Sequence, residues 1–234
     1  MTSAKATARL AGALYLVSGI PGMFSYLYVP ATLIVPGDAA QTAQRIASAP
    51  IAYRMAIVSD VASQALLILL GLTLYELLKD VDRRYARVMV MFAAAGAVIE
   101  ISNALNMIGP LILYGADWSL AFSKPQVDAL ALTFLQARGT GLFVAQVFWG
   151  LWLFPFGVLV IRSASFPRIL GQLLIVACFG YIAASAAFFL IPAHAHSVIQ
   201  LGQLLGGLGE GAMLLWLLIK GVEAPTPEVR VSIA

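Results

Sequence analysis

The stretch VMVMFAAAGAVIEISNALNMIGPLILY, residues 88–114, carries no Lys or Arg and a single acidic residue, Glu100. A helix crosses the hydrocarbon core of a bilayer with about 20 mostly apolar residues, so this stretch is long enough to span. Working outward, five more stretches read the same way: Leu10–Val29, Met55–Leu78, Gly139–Ile161, Ile169–Pro192 and Val198–Ile219. Strands of a membrane barrel would run about 9–11 residues with strict alternation, a pattern these long runs lack. The expected fold is all-α: a polytopic six-helix transmembrane bundle formed by residues 1–221 as one domain, with 222–234 as a cytoplasmic tail. The first stretch has a basic start at Lys5 and Arg9, but its apolar run continues through Val29, so it reads as a retained helix.

Composition agrees. Of the 234 residues, 61% are hydrophobic and 11% are charged, whereas a soluble domain carries about 25% charged residues. Mean hydropathy is +0.92. The net charge of +3 comes without a basic block able to hold a polyanion, which argues against a nucleic-acid partner. One cysteine, Cys178, forms no internal disulfide, and no Cys/His cluster has zinc-ligand spacing.

Basic residues give an orientation. With the N-terminus inside, the cytoplasmic side holds Lys5, Arg9, Lys79, Arg83, Arg84, Arg87, Arg162, Arg168, Lys220 and Arg230. The opposite side holds Arg45, Arg54, Lys124 and Arg138. Both termini are therefore expected in the cytoplasm. The outer links Pro30–Arg54 and Gly115–Arg138 are the longer ones, and each is expected to carry a short amphipathic helix. Asp38 can cap one from Ala39 to Ala49, and Ser123 can cap another that opens with Lys124-Pro125. Arg9–Leu14 is faintly similar to Arg168–Leu173, which reads first as two basic-flanked helix starts.

Several segments carry a family resemblance. They are Ala8-Arg9-Leu10-Ala11-Gly12-Ala13-Leu14-Tyr15-Leu16, Gly37-Asp38-Ala39-Ala40, Trp152-Leu153-Phe154-Pro155-Phe156-Gly157 with Arg162-Ser163, and Phe166-Pro167-Arg168-Ile169-Leu170-Gly171. Gly209-Glu210 and Trp216-Leu217-Leu218-Ile219-Lys220-Gly221 complete the set. Together they resemble the bacterial membrane family known as domain of unknown function 4386, over nearly the whole chain. The resemblance implies a multi-pass protein of the bacterial cytoplasmic (inner) membrane. It carries over no activity, cofactor or catalytic residue.

Function must then be read from polar residues at membrane depth. Ionisable groups at a helix centre cost on the order of 2.5–3.5 kcal/mol each. Three acids lie well inside the spans: Asp60, Glu100 and Glu210, accompanied by Gln64, Asn103, Asn106, Gln146, Gln200 and Gln203. No Lys or Arg falls in the middle of the expected spans, so the acids are expected to lack a buried counter-ion. Without one, burial favours the protonated form, and at least one of Glu100 and Glu210 is expected to carry a proton, the two facing each other or sharing a cavity. Asp60 and Gln64 share one helix face, as do Glu100, Asn103 and Asn106. Most of the set falls in the outer half of the bundle.

Three readings follow. In the first, Asp60, Gln64, Glu100, Asn103, Asn106, Gln146, Gln203 and Glu210 line an outward-facing pocket for a small amphipathic or cationic ligand. The protein would then be a non-enzymatic sensor, sequestering protein or transporter-like binder. In the second, paired carboxyl groups act as acid and base on a lipid-soluble substrate within the membrane. In the third, the network is structural, and the chain is a homo-oligomer or an accessory subunit of a larger membrane complex. His194 and His196 supply at most two metal ligands and read as an exposed turn, Tyr26, Tyr28, Tyr114 and Trp118 as an aromatic belt, and Gly202, Gly206, Gly207, Gly209 and Gly211 as a close-packing surface.

Overall fold

The structure is a computed structural model and describes residues 4–222; of the expected tail only Val222, which is buried, is described, and Arg230 lies outside the described residues. It is all-helical, with α1 (Ala4–Leu33), α2 (Ala39–Ser48), α3 (Pro50–Leu78), α4 (Arg83–Gly115), α5 (Lys124–Arg162), α6 (Arg168–Leu190) and α7 (Pro192–Ile219). All but α2 are long and apolar enough to cross a membrane. They form a ring in which α1 packs on α3, α3 on α4, α4 on α5, α5 on α6, α6 on α7, and α7 returns to α1. Exposed apolar side chains such as Ile20, Val58, Met91, Val98, Phe179 and Leu208 cover the outside of this ring. That surface suits acyl chains rather than water, and the chain is a multi-pass membrane protein.

The helices run past the apolar stretches because polar residues cap them beyond the hydrocarbon. Asp82 accepts from the backbone N–H of Arg84 and Tyr85 at 3.0 and 3.2 Å and starts α4. Asp38 accepts from Gln41 at 2.8 Å and starts α2, as expected. The helix expected to open at Lys124 is not a separate outer element. Gln126 accepts from the Ser123 N–H at 2.8 Å, and the helix then continues unbroken to Leu151. Gly139 and Gly141 do not end it, since helix interiors tolerate glycine at a cost of only about 1 kcal/mol. Arg138, expected in an outer loop, therefore lies inside a spanning helix.

Three spanning helices are irregular within their length, and α7 opens with a 3-10 turn over Pro192–His194. In α1, Pro21 precedes a π-helical stretch over Phe24–Tyr28. In α4, regular bonding lapses at Ala104, six residues before Pro110. In α5 it lapses at Trp152, where Pro155 has no N–H to offer the Leu151 carbonyl.

The core is layered along the bundle. At the end carrying Ala4 and Gly221, Leu70, Leu74, Met89, Trp152, Phe156, Leu174, Met213 and Leu217 are fully buried. This end is clasped by Arg162, whose Nη1 lies 2.6 Å from Asp82 and whose guanidinium stacks over Tyr85. At the other end a smaller apolar cluster gathers Val29, Leu33, Ile46, Tyr53, Ala56, Met107 and Leu135. Polar residues lie between the two layers.

Candidate functional site

The centre of that polar layer is Arg138. Its Nη2 donates to Asp60 Oδ2 at 2.6 Å, and its Nη1 lies 2.6 Å from Glu100 Oε1. The three residues come from α5, α3 and α4. Asp60 and Glu100 are fully buried and Arg138 is 6% exposed. The expectation that the membrane acids lack a counter-ion is overturned for these two. The reason is the length of α5, which carries Arg138 four turns below its start instead of leaving it in a loop.

Neutral residues complete the arrangement. The Tyr26 hydroxyl donates to Asp60 Oδ1 at 2.8 Å and accepts from Gln64 Nε2 at 2.7 Å. Asn103 Nδ2 donates to Glu100 Oε2 at 3.2 Å and to the Arg138 carbonyl at 3.0 Å. Asn106 Nδ2 in turn donates to Asn103 Oδ1 at 3.0 Å. Gly141 makes room for this, because a Cβ there would lie 2.1 Å from Asn103 Oδ1. Tyr26 sits in the π-helical stretch and Asn103 directly before the irregular turn at Ala104, so both backbone departures border the charged centre. Single-turn π segments concentrate at functional sites.

Glu210 belongs to a second group. Its two oxygens accept from Tyr15 at 2.5 Å and Tyr181 at 2.7 Å, which tie α7 to α1 and α6. Nearby, Gln203 Nε2 donates to Gln146 Oε1 at 3.1 Å, and Gln146 Nε2 donates to the Tyr181 carbonyl at 3.3 Å. Among the described residues, Glu100 and Glu210 share no hydrogen-bond partner. The structure thus brings Asp60, Gln64, Glu100, Asn103 and Asn106 together around Arg138, and Gln146, Gln203 and Glu210 around Tyr181. Gln200, His194 and His196 are exposed and join neither group.

Four partners escaped the sequence reading: Arg138, Tyr26, Tyr15 and Tyr181. Tyr26 reads as a belt residue from its position near a helix end, yet its hydroxyl points to Asp60. Apolar residues at Val127, Ala131, Leu135 and then Arg138 continue one buried face, a spacing that marks Arg138 as inward-facing.

By formal charge, two carboxylates against one guanidinium leave one negative charge in a fully buried place. Buried charge is tolerated only when paired and hydrogen-bonded, and the pairing with Arg138 offsets one of the two formal charges. Gln64, 2% exposed, presents an Oε1 with no hydrogen-bond partner among the described residues. That oxygen is a further acceptor beside Asp60. On the far side Tyr53, Ala56, Met107 and Leu135 lie one or two turns beyond Asp60, Asn103 and Arg138, so an apolar layer separates the charged centre from that end.

The model of the family described as Domain of unknown function (DUF4386) matches residues 10–221. No curated protein and no solved structure matches the chain.

Proposed function

The chain belongs to the DUF4386 family, whose description carries no activity, and from the site we propose a non-enzymatic binder of a small cation, the proton included, held by Asp60 and Glu100 beside Arg138. The observation that supports this is the ratio of charges: two buried carboxylates share one guanidinium. A monovalent cation or a proton balances the site, and Gln64, Asn103 and Tyr26 orient the oxygens that receive it. The apolar layer around Tyr53 and Met107 excludes water from the far end, which strengthens attraction between the site and its guest. Sensing, sequestration and transport across the bacterial inner membrane are uses open to such a site.

Purified protein in neutral detergent tests the reading by thermal unfolding in sodium, potassium, guanidinium and methylammonium chlorides at constant ionic strength. At a concentration 100 times Kd, a ligand stabilises by about 2.7 kcal/mol. Saturable stabilisation by at least one cation is expected, larger at pH 8 than at pH 6 because protons compete. Glu100→Gln should fold and lose that response. If no cation stabilises the parent, and Glu100→Gln unfolds at the same temperature at both pH values, the charged centre is an interhelical bracket and the reading fails.

A further inference from the structure

A second place on the molecule has the opposite electrical character. Between α2 and the ends of α3, α4 and α5 lies an open groove of about 630 Å³, within the range of about 300–1,000 Å³ typical of small-molecule sites. Its walls are apolar where Ile46, Ala47 and Leu111 line it, and its polar side chains are Arg54, Lys124, Tyr114 and the neutral Gln44. None of the residues around Arg138 or Glu210 lines it. Arg54 is exposed and has no acidic partner among the described residues. Lys124 meets Asp128 at 2.7 Å, but its side chain is 77% exposed, so its ammonium keeps donors for another anion.

The backbone adds to this field. Helix α3 begins at Pro50, which lines the groove, and among the described residues no side chain caps its first turn. The amides of Ile51 and Ala52 are therefore first-turn donors at the positive end of a 29-residue helix. Arg54 stands one turn further along the same helix.

From these features we infer that the groove binds an acidic amphiphile with a single alkyl chain, such as a long-chain fatty acid. The carboxylate lies against Arg54 and the first turn of α3, and the chain lies along Ile46, Ala47 and Leu111. Two cationic side chains and the first turn of α3, in one groove with apolar Ile46, Ala47 and Leu111, match the two halves of such a molecule. A neutral amphiphile would satisfy only the floor, and a cationic one would meet Arg54 as a like charge.

Binding of oleate, oleyl alcohol and oleylamine to the purified full chain in a nonionic detergent distinguishes these cases, with native mass spectrometry reading one-to-one adducts. Oleate should bind saturably and at least tenfold more tightly than oleyl alcohol, with oleylamine weakest. Arg54→Gln, a substitution at an exposed position, should weaken oleate about tenfold and leave oleyl alcohol unchanged; Lys124→Gln should weaken oleate by a smaller factor. Equal affinity for the acid and the alcohol, or full retention of oleate by Arg54→Gln, would overturn the inference. Either result leaves the cation reading untouched, because no residue is shared.

Discussion

Arg138 on α5 and Asp60 on α3 meet at 2.6 Å across 78 residues of chain, in the interior of a bundle where both side chains are almost wholly excluded from solvent. Breaking a buried pair from one side typically costs about 3–5 kcal/mol, because the abandoned charge stays buried. Arg138→Gln should destabilise by that order, since two carboxylates lose their cation. Arg138→Lys should also destabilise, because a single ammonium cannot present two separate nitrogens to Asp60 and Glu100. Replacing all three charges, Asp60→Asn with Glu100→Gln and Arg138→Met, should recover most of the loss. Denaturation in detergent measures each, and an unchanged midpoint for Arg138→Gln would refute the pairing.

Tyr15 and Tyr181 each give Glu210 one hydrogen bond. Tyr15→Phe or Tyr181→Phe should cost about 1–2 kcal/mol. The double variant should cost more than the sum, since the first removal leaves Glu210 one donor and the second leaves none. A double-mutant cycle on unfolding midpoints reads this coupling, and strict additivity would show that the two hydroxyls act independently.

Glycines on α7 separate into two kinds. A Cβ on Gly206 would lie 2.2 Å from the Tyr181 ring, whereas one on Gly207 meets nothing within 4 Å. Gly206→Ala should push Tyr181 away from Glu210 and destabilise by about 1–3 kcal/mol. Gly207→Ala should be neutral or stabilise by up to about 1 kcal/mol. Comparable melting temperatures for the two variants would contradict this packing.

Orientation is tested by labelling single cysteines in a Cys178→Ala background in intact cells. Among the described residues, the end with Lys5, Arg9, Lys79, Arg83, Arg84, Arg87, Arg162, Arg168 and Lys220 should be cytoplasmic. Ser119→Cys should react with an impermeant maleimide added outside, and Arg84→Cys should react only after lysis. Both positions are exposed, so a missing label reports side rather than burial.

The six spans were legible because a run such as residues 88–114 has no alternative to a membrane helix. The acids and amides were legible as a set for the same reason: each is conspicuous against apolar neighbours. What stayed hidden was partnership. Arg138 is followed by Gly139 and Gly141, and that punctuation reads as a loop; only the buried face from Val127 to Leu135, continued through the helix, places it inside. Tyr26 lies where aromatic residues commonly anchor an interface, and its role depends on a π-helical stretch that no local propensity marks. Glu100 and Glu210 lie at similar apparent depth, yet helix rotation gives one a guanidinium and the other two phenols.

The guanidinium within α5 also bears on how the protein is made. Alone in a bilayer, Arg138 at that depth would take about 2.5–3.5 kcal/mol from the insertion free energy that the apolar residues of α5 supply. Its two carboxylates reside on α3 and α4, which precede it along the chain and leave the ribosome first. Insertion of the fourth span is therefore expected to be eased when the earlier spans remain beside it. A truncated nascent chain lacking α3 and α4 would release α5 to the aqueous side far more often than the intact order of synthesis does.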